Sequence, residues 1–321
     1  MNKKNLKIVV IFIFIMFIAL GGVLWYRYVT NTERMRGQYT FTRVRQEIKN
    51  IGKIVMTTPR SGTVTVYRDH DVWRFKEASD YFVNMKMLSN FYTMINGSVI
   101  TSVQKAPSEL LKKHNLLAAE ESDNGDGEGT EVAVYDNDGQ LLDDIILGDR
   151  DSNDETFVFA RPKGKNYIYV VSNIGRFSGE AQAWIPYPLL QVLNQHIESI
   201  DVDGVSLNRQ QLTKLTYDSI RIRKMLDCLA FLNYQGIAKK DDFFASAKDV
   251  RPKQIIFNMI GGLIYVFRIY SVNGDYWLGI DLKTASLAHK EIAPFVENNQ
   301  KYFSDWVFQL FDDEGEILYE E

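Results

Sequence analysis

The chain has 321 residues, 45% of them hydrophobic and 24% charged, which is the composition of a folded protein and excludes a disordered one. That length suggests about two units of ~100–150 residues. The net charge of -4 argues against a nucleic-acid partner, which requires a basic surface, and the single cysteine, Cys228, excludes an internal disulfide.

The first segment, "KIVVIFIFIMFIALGGVLWYRYV", carries no charge from Ile8 to Tyr26. A bilayer core requires roughly 20 apolar residues as a helix, whereas the apolar part of a signal peptide is ~7–15 long. The run closes on Trp25, Tyr26, Arg27 and Tyr28, the residue types of a membrane interface. Residues 1–31 are therefore expected to be a short cytoplasmic tail and a transmembrane anchor, with residues 8–26 in the bilayer; cleavage after Ala19-Leu20-Gly21 is the alternative. Lys3, Lys4 and Lys7 nearly balance Arg27, Arg34 and Arg36 across the run. The short lysine-rich tail favours a single-pass protein of the bacterial inner membrane with a periplasmic carboxyl-terminal domain. "IIFNMIGGLIYVFRIY" does not make a second span, because Gly261-Gly262 and Arg268 interrupt it.

Residues 32–49 read as a polar connector. A first unit over 50–195 opens with the alternating strands "KIVMTT", "TVTVYRD" and "DVWRFKE". Helical spacing runs from Tyr81 to Asn96, with Met87, Leu88, Phe91, Met94 and Ile95 on one side and Gly97 as the stop. A short helix follows at "PSELLKKHN", with Pro107 at its start and Ser108 as a cap. Two hairpins then turn at Asn137-Asp138-Gly139 and at Pro162-Lys163-Gly164. A second unit over 196–321 repeats this order: a strand pair turning at Asp203-Gly204, a helix with Met225, Leu226, Leu229 and Leu232, and three strands turning at Gly261-Gly262 and Asn273-Gly274.

The two helices share Lys-Met-Leu, Lys86 and Lys224 lying 138 positions apart, whereas Trp184 and Trp306 lie 122 apart. The polar stretches "EESDNGDGEGT" and "DRDSNDE" account for a longer first copy. The expected fold class is α+β: a single amino-terminal transmembrane helix followed by two tandem units of mostly antiparallel sheet, each with a packed helix.

The chain resembles domain of unknown function 4340, a bacterial envelope domain also found in the auxiliary component of gliding-motility-type ABC transporters. The resemblance rests on "VTVYRDHDVWRFKE", the helix over Lys86–Ile95, "SELLKKHNL", "VAVYDNDGQLLDDIILGDRD" and "YIYVVS … AWIPYPLLQV", roughly from Ile51 to Asp203. The chain departs from the family at His114-Asn115-Leu116, where members often have a Tyr-Gly-Leu-like turn. The resemblance implies an envelope location and supplies no catalytic residues.

Chemistry-bearing residues are sparse. His70, His114, His196 and His289 lack the spacing of a zinc site, and one cysteine cannot complete a finger. Cys228 lies in an apolar-periodic stretch, which favours a packed thiol over a nucleophile. "GDGEGT" lacks the preceding strand, the lysine and the following helix of a phosphate loop, so no nucleotide is expected. Asp149, Asp151 and Asn153 alternate as at the start of a calcium loop, but Asp154 replaces its glycine and Ala160 its bidentate glutamate. Asp143-Asp144 and Asp241-Asp242 are adjacent carboxylates, and neighbours in a strand point to opposite faces. No catalytic, cofactor-binding or metal residue is assigned, and no cofactor is expected. The expected function is a membrane-anchored, non-enzymatic extracytoplasmic binding or scaffold module, accessory to an ABC-type transport or envelope-assembly complex through a membrane or periplasmic protein partner. The alternatives are a periplasmic module for carbohydrate or peptide, and a calcium-dependent hydrolase.

Overall fold

The computed structural model describes residues 16–23, 34–59, 61–174, 179–202, 204–218, 220–247 and 250–319. Most of the anchor expected over residues 8–26 lies outside these; residues 16–23 are helical. Among the described residues no helix is long and apolar enough to cross a membrane. The expected fold class is corrected accordingly: the described fold is α+β with antiparallel sheets, without a transmembrane helix.

The chain divides into two compact units. Unit 1 comprises residues up to Asp71 together with Met85–Ala183, and unit 2 comprises Val72–Asn84 together with Trp184–Glu321. In unit 1, α1 (Thr42–Gln46) precedes β1 (Ile51–Thr58) and β2 (Gly62–Asp69). The chain then gives β3 (Val72–Phe75) and β4 (Tyr81–Phe82) to unit 2. It returns with α2 (Met85–Gly97), β5 (Val99–Lys105), α3 (Ser108–Lys113), β6 (Thr130–Asp136), β7 (Leu141–Arg150), β8 (Phe157–Pro162) and β9 (Tyr167–Ser172). The strands of unit 1 lie in the order β2-β1-β6-β7-β8-β9-β5.

Unit 2 continues with β10 (Ile197–Val202), β11 (Val205–Asn208), α4 (Arg209–Asp218), α5 (Ile220–Ala230), β12 (Gly236–Lys239) and α6 (Lys240–Ser246). It closes with β13 (Lys253–Met259), β14 (Leu263–Val272), β15 (Asp275–Thr284), α7 (Ile292–Gln300), β16 (Trp306–Gln309) and α8 (Asp312–Tyr319). Its sheet order is β11-β10-β13-β14-β15-β16-β12. Element for element this is the order of unit 1. The correspondence extends to irregularities: the pairing of β1 with β6 shifts between Ile51 and Lys53, and that of β10 with β13 shifts between Ile197 and Ser199.

Hydrophobic spacing explains the matching parts. Leu88, Phe91 and Met94 in unit 1 and Leu226, Leu229 and Leu232 in unit 2 are all buried, and each pair is separated by the spacing of Lys86 and Lys224. The short helix after each edge strand also packs alike. In unit 1, α3 and the turn after it put Leu111, Leu116 and Leu117 against Ile146 of β7, Phe159 of β8 and Ile168 of β9. In unit 2, α6 puts Phe243 and Ala247 with Tyr270 of β14, Trp277 of β15 and Val307 of β16. The tryptophans do not correspond, because Trp306 opens β16, the counterpart of β9, whereas Trp184 ends a 3-10 turn beyond β9.

Local chemistry shifts some expected boundaries. Helical spacing predicts a start at Tyr81, yet Tyr81 and Phe82 form β4 and the helix starts at Met85. Ser79 and Asp80 adopt positive φ values of 54° and 56°, which reverses the chain and points Tyr81 into a core. Pro107, not Ser108, is the residue before the first turn of α3. Gly148 lies within β7 against the loop at His114: a Cβ there would lie 2.1 Å from the His114 carbonyl oxygen. The Leu147-Gly148 pair, read from sequence as a strand end, is thus a close backbone approach that only glycine permits.

Segment Val72–Asn84 is fastened within unit 2. The Tyr81 ring is buried at 3% exposure and meets Trp306 edge-on at 5.1 Å and Phe308 at 5.5 Å. Its hydroxyl donates to the Tyr302 carbonyl at 3.1 Å. The Trp306 indole donates to the Ser79 carbonyl at 3.0 Å, Ser79 Oγ donates to the Ile237 carbonyl at 3.1 Å, and Lys239 Nζ lies 2.6 Å from Asp80 Oδ2. Truncating a buried aromatic ring costs about 3–5 kcal/mol, whereas losing one neutral hydrogen bond costs about 0.5–1.5 kcal/mol. Urea unfolding followed by tryptophan fluorescence should therefore show Tyr81→Ala far more destabilised than Tyr81→Phe; equal effects would contradict the packing role of the ring.

Candidate functional site

Two helices occupy the stretch between β11 and β12, and a cleft of about 620 Å³ opens beside them. It is lined by Asn194, Gln195, Ile197, Arg209, Leu212, Thr213, Arg223 and Leu226. Arg209, Leu212 and Thr213 are spaced i, i+3, i+4 on α4, and Arg223 and Leu226 are spaced i, i+3 on α5, so each helix turns one face to the cleft. A reciprocal cap fixes the start of α4: Asn208 Oδ1 accepts from the Gln211 N–H at 3.0 Å, and Gln211 Oε1 accepts from the Asn208 N–H at 2.9 Å. The floor is aliphatic and buried, with Ile197 at 2% and Leu212 and Leu226 at 5% exposure. The rim residues Asn194, Gln195, Arg209, Thr213 and Arg223 are exposed. The lining contains no carboxylate, imidazole, thiol or aromatic ring. It offers cations, amides and a hydroxyl over an apolar base, which is binding chemistry.

Sequence reasoning did not single out these residues. The signal was present in the i, i+3, i+4 spacing of Arg209, Leu212 and Thr213, but nothing in a single sequence shows that these residues and Asn194, Gln195 and Ile197 line one cleft.

Unit 1 carries a different feature, an ionic cluster. Lys163 Nζ lies 2.7 Å from Glu131 and 3.1 Å from Glu120. Burial pulls the Lys163 ammonium down, but its hydrogen bonds to Glu131 and Glu120 outweigh this and its pKa is raised. The buried Arg161 guanidinium pairs with Glu121 and donates to the Leu116 carbonyl at 3.0 Å, and the arginine hydrogen bond holds Glu121 below the usual carboxylate range. Lys112 and Asp126 pair at 2.7 Å. The acidic stretch "EESDNGDGEGT" is therefore bound to unit 1 by its charges. Its glycines serve packing as well as turning: a Cβ at Gly129 would lie 2.3 Å from the Asn115 carbonyl oxygen.

Asp143 and Asp144 have different partners, as neighbours in a strand must. Asp143 Oδ2 accepts the Arg43 and Val44 N–H groups at 2.9 Å, capping α1. Asp144 is half-buried beside Glu131, and burial first, then that carboxylate, pushes its pKa up to about 6. Among the described residues no hydrogen-bond partner meets Asp144 Oδ1. Asp241 and Asp242 lie in the first turn of α6, where their charges complement the helix amino end.

The remaining candidates are dispersed. Asp149 Oδ1 accepts from Asn115 at 2.8 Å, and Asp151 Oδ1 accepts from the backbone and side chain of Asn153 at 2.9 and 3.1 Å. Asp154 Oδ1 accepts from the Thr156 hydroxyl at 2.6 Å, so Asp151 and Asp154 close their own loop while Asp149 reaches the turn after α3. Among the described residues no group of three or more His, Cys, Asp or Glu is arranged to hold a metal ion. His70 stands beside Asp69, His114 stacks on Phe159 at 4.0 Å, His196 ends the 3-10 turn before β10, and His289 is near Glu291. Burial, with Glu314 and Asp313 nearby, pushes the Cys228 thiol up to about 12, which leaves it a neutral packing group at physiological pH.

Fold and site together describe an α+β protein with one strand order used twice and a cationic, apolar-floored cleft in the second copy. No family model, no curated protein and no solved structure matches the chain.

Because the folded chain holds the Asp144 proton more tightly than the unfolded chain, ionising it costs folded stability as pH rises from about 4 through about 6. The cost is absent below that window and complete above it. Asp144→Asn should raise the unfolding temperature at about pH 8 and change it little at about pH 4; a shift of equal size at both pH values would show that the carboxylate charge is not responsible.

Proposed function

We propose that the chain is a non-enzymatic binding module, accessory to an ABC-type transport or assembly complex of the bacterial envelope, and that it presents the unit 2 cleft to what it binds. The observation that carries this reading is the lining of the cleft. Arg209, Arg223, Asn194, Gln195 and Thr213 surround an aliphatic floor, and the lining includes no carboxylate, imidazole or thiol. The ionisable groups with shifted pKa values support the same reading through their local duties: Asp143 caps a helix, Glu121 pairs with Arg161 and the Cys228 thiol is packed. Placement outside the cytoplasm and the kind of complex rest on the resemblance to the envelope domain.

A second reading, a periplasmic module for peptide or carbohydrate, shares the cleft. Its lack of an aromatic ring removes a stacking platform, so a peptide fits it better than a sugar. In-cell cross-linking of the full chain, followed by purification and identification of the linked protein, tests the proposal. The expected product is a stoichiometric complex with a permease, ATPase or assembly component, formed in lower yield by Arg209→Gln and Arg223→Gln. Recovery of the chain uncombined under conditions that preserve known envelope complexes would overturn it.

A further inference from the structure

We infer that the outer face of α5 docks a second copy of this chain, with the two helices antiparallel about a twofold axis. The face consists of Ile220, Lys224, Asp227 and Phe231, spaced i, i+4, i+7, i+11, so all four fall on one side of the helix. Met225, Leu226 and Leu229 occupy the opposite side and are buried. Ile220 is 71% and Phe231 47% exposed, and Lys224 and Asp227 are exposed with them. Phe231 follows the last residue of α5, and its N–H donates to the Cys228 carbonyl at 3.2 Å, which continues the helical turn. The exposed Tyr187 ring meets Phe231 edge-on at 5.5 Å and widens the apolar end of the face.

The order of residues along this face is complementary to itself. In an isologous contact, residues at equal distances from the twofold axis face one another. An axis midway between Met225 and Leu226 sets Ile220 of one copy opposite Phe231 of the other, and Lys224 of one opposite Asp227 of the other. Apolar side chains then meet at both ends and opposite charges meet at the centre, each contact made twice by symmetry. A parallel arrangement would set lysine against lysine and aspartate against aspartate, so the charges select the antiparallel one. No ion pair among the described residues engages Lys224 or Asp227.

The equivalent face in unit 1 lacks this pattern. At the 138-position spacing that relates Lys86 to Lys224, Lys86, Ser89 and Thr93 of α2 stand where α5 and its last turn have Lys224, Asp227 and Phe231. All three are exposed and polar. The shared fold therefore requires neither a carboxylate nor an aromatic ring on this face, and unit 2 carries both. Three helical turns with Tyr187 make a small contact, below about 1,200 Å², which is the range of weak association. The dimer is accordingly expected at micromolar concentrations and above, and it does not depend on what the cleft binds.

Analytical ultracentrifugation of the full chain in a non-ionic detergent, from about 1 to about 300 μM, tests the inference. A dimer that dissociates on dilution is expected. Lys224→Glu and Asp227→Lys should each weaken it about tenfold, because each sets like charges against one another at two symmetric contacts. The two substitutions together should restore parental association, which follows only if these charges face each other across the axis. Phe231→Ala should also weaken the dimer about tenfold. Circular dichroism should be unchanged in the charge variants, whose positions are exposed, so they decide the matter even if Phe231→Ala perturbs the fold. Every variant keeps the uncharged run over residues 8–26, so differences among them report on α5. A chain that stays monomeric throughout, single variants that associate like the parent, or a double variant no tighter than the single ones would each overturn the inference.

Discussion

Unit 2 depends on an aromatic side chain that the chain supplies well before the rest of that unit. Tyr81 sits edge-on to Trp306 and Phe308, with its hydroxyl on the Tyr302 carbonyl. Trp306 donates in turn to Ser79, and Lys239 pairs with Asp80. Burying a ring of this kind contributes a few kcal/mol, comparable with much of the net stability of a domain. Unit 2 is therefore assembled from separated parts of the chain, and the strand pair β3–β4 does its work there.

This placement explains how two copies of one strand order can differ in what they do. Both copies open with an antiparallel pair, both close with four successive strands, and both lay a short helix over the last three of those. They differ between the opening pair and the edge strand. Between β2 and the long helix α2 of unit 1 the chain supplies β3 and β4, which belong to unit 2. Unit 2 has α4 in that chain position, ahead of α5. The cleft is lined from α4 and α5, so it forms where the copies diverge. The shared elements make the scaffold, and the replaced element makes the site.

The repeated hairpins were legible in the sequence because their turns require particular residues. Asn273-Gly274 turns with φ values of 55° and 95°, and Gly139 with 81°, conformations that little but asparagine and glycine adopts cheaply. The helix register was legible through Leu88, Phe91 and Met94 and their counterparts, since a buried face must recur with the helical period. The tryptophan alignment failed because an aromatic residue marks burial, not topology: Trp184 and Trp306 are both buried, in a 3-10 turn and a strand. Tyr81 misled for the same reason, since its spacing fits the helix while Ser79 and Asp80 turn it away. The expected anchor was read from the uncharged run over residues 8–26 and its aromatic and basic flank, and among the described residues no helix is long and apolar enough to cross a membrane. The cleft was not legible, because its lining comes from separate stretches of the chain and its residues are individually ordinary.

The charges of the two units follow the same division. In unit 1 the acidic stretch answers the cations around it: Glu121 meets Arg161, Glu120 meets Lys163 and Asp126 meets Lys112. Those pairs hold a surface segment in place, so their cations are committed to the fold. In unit 2 the pairs of Lys239 with Asp80 and of Arg268 with Asp281 are likewise committed. Arg209 differs, because it stands at the amino end of a helix, where its charge is least favourable, on the rim of a cleft with no carboxylate in its lining. A residue so placed contributes little to the stability of its own helix.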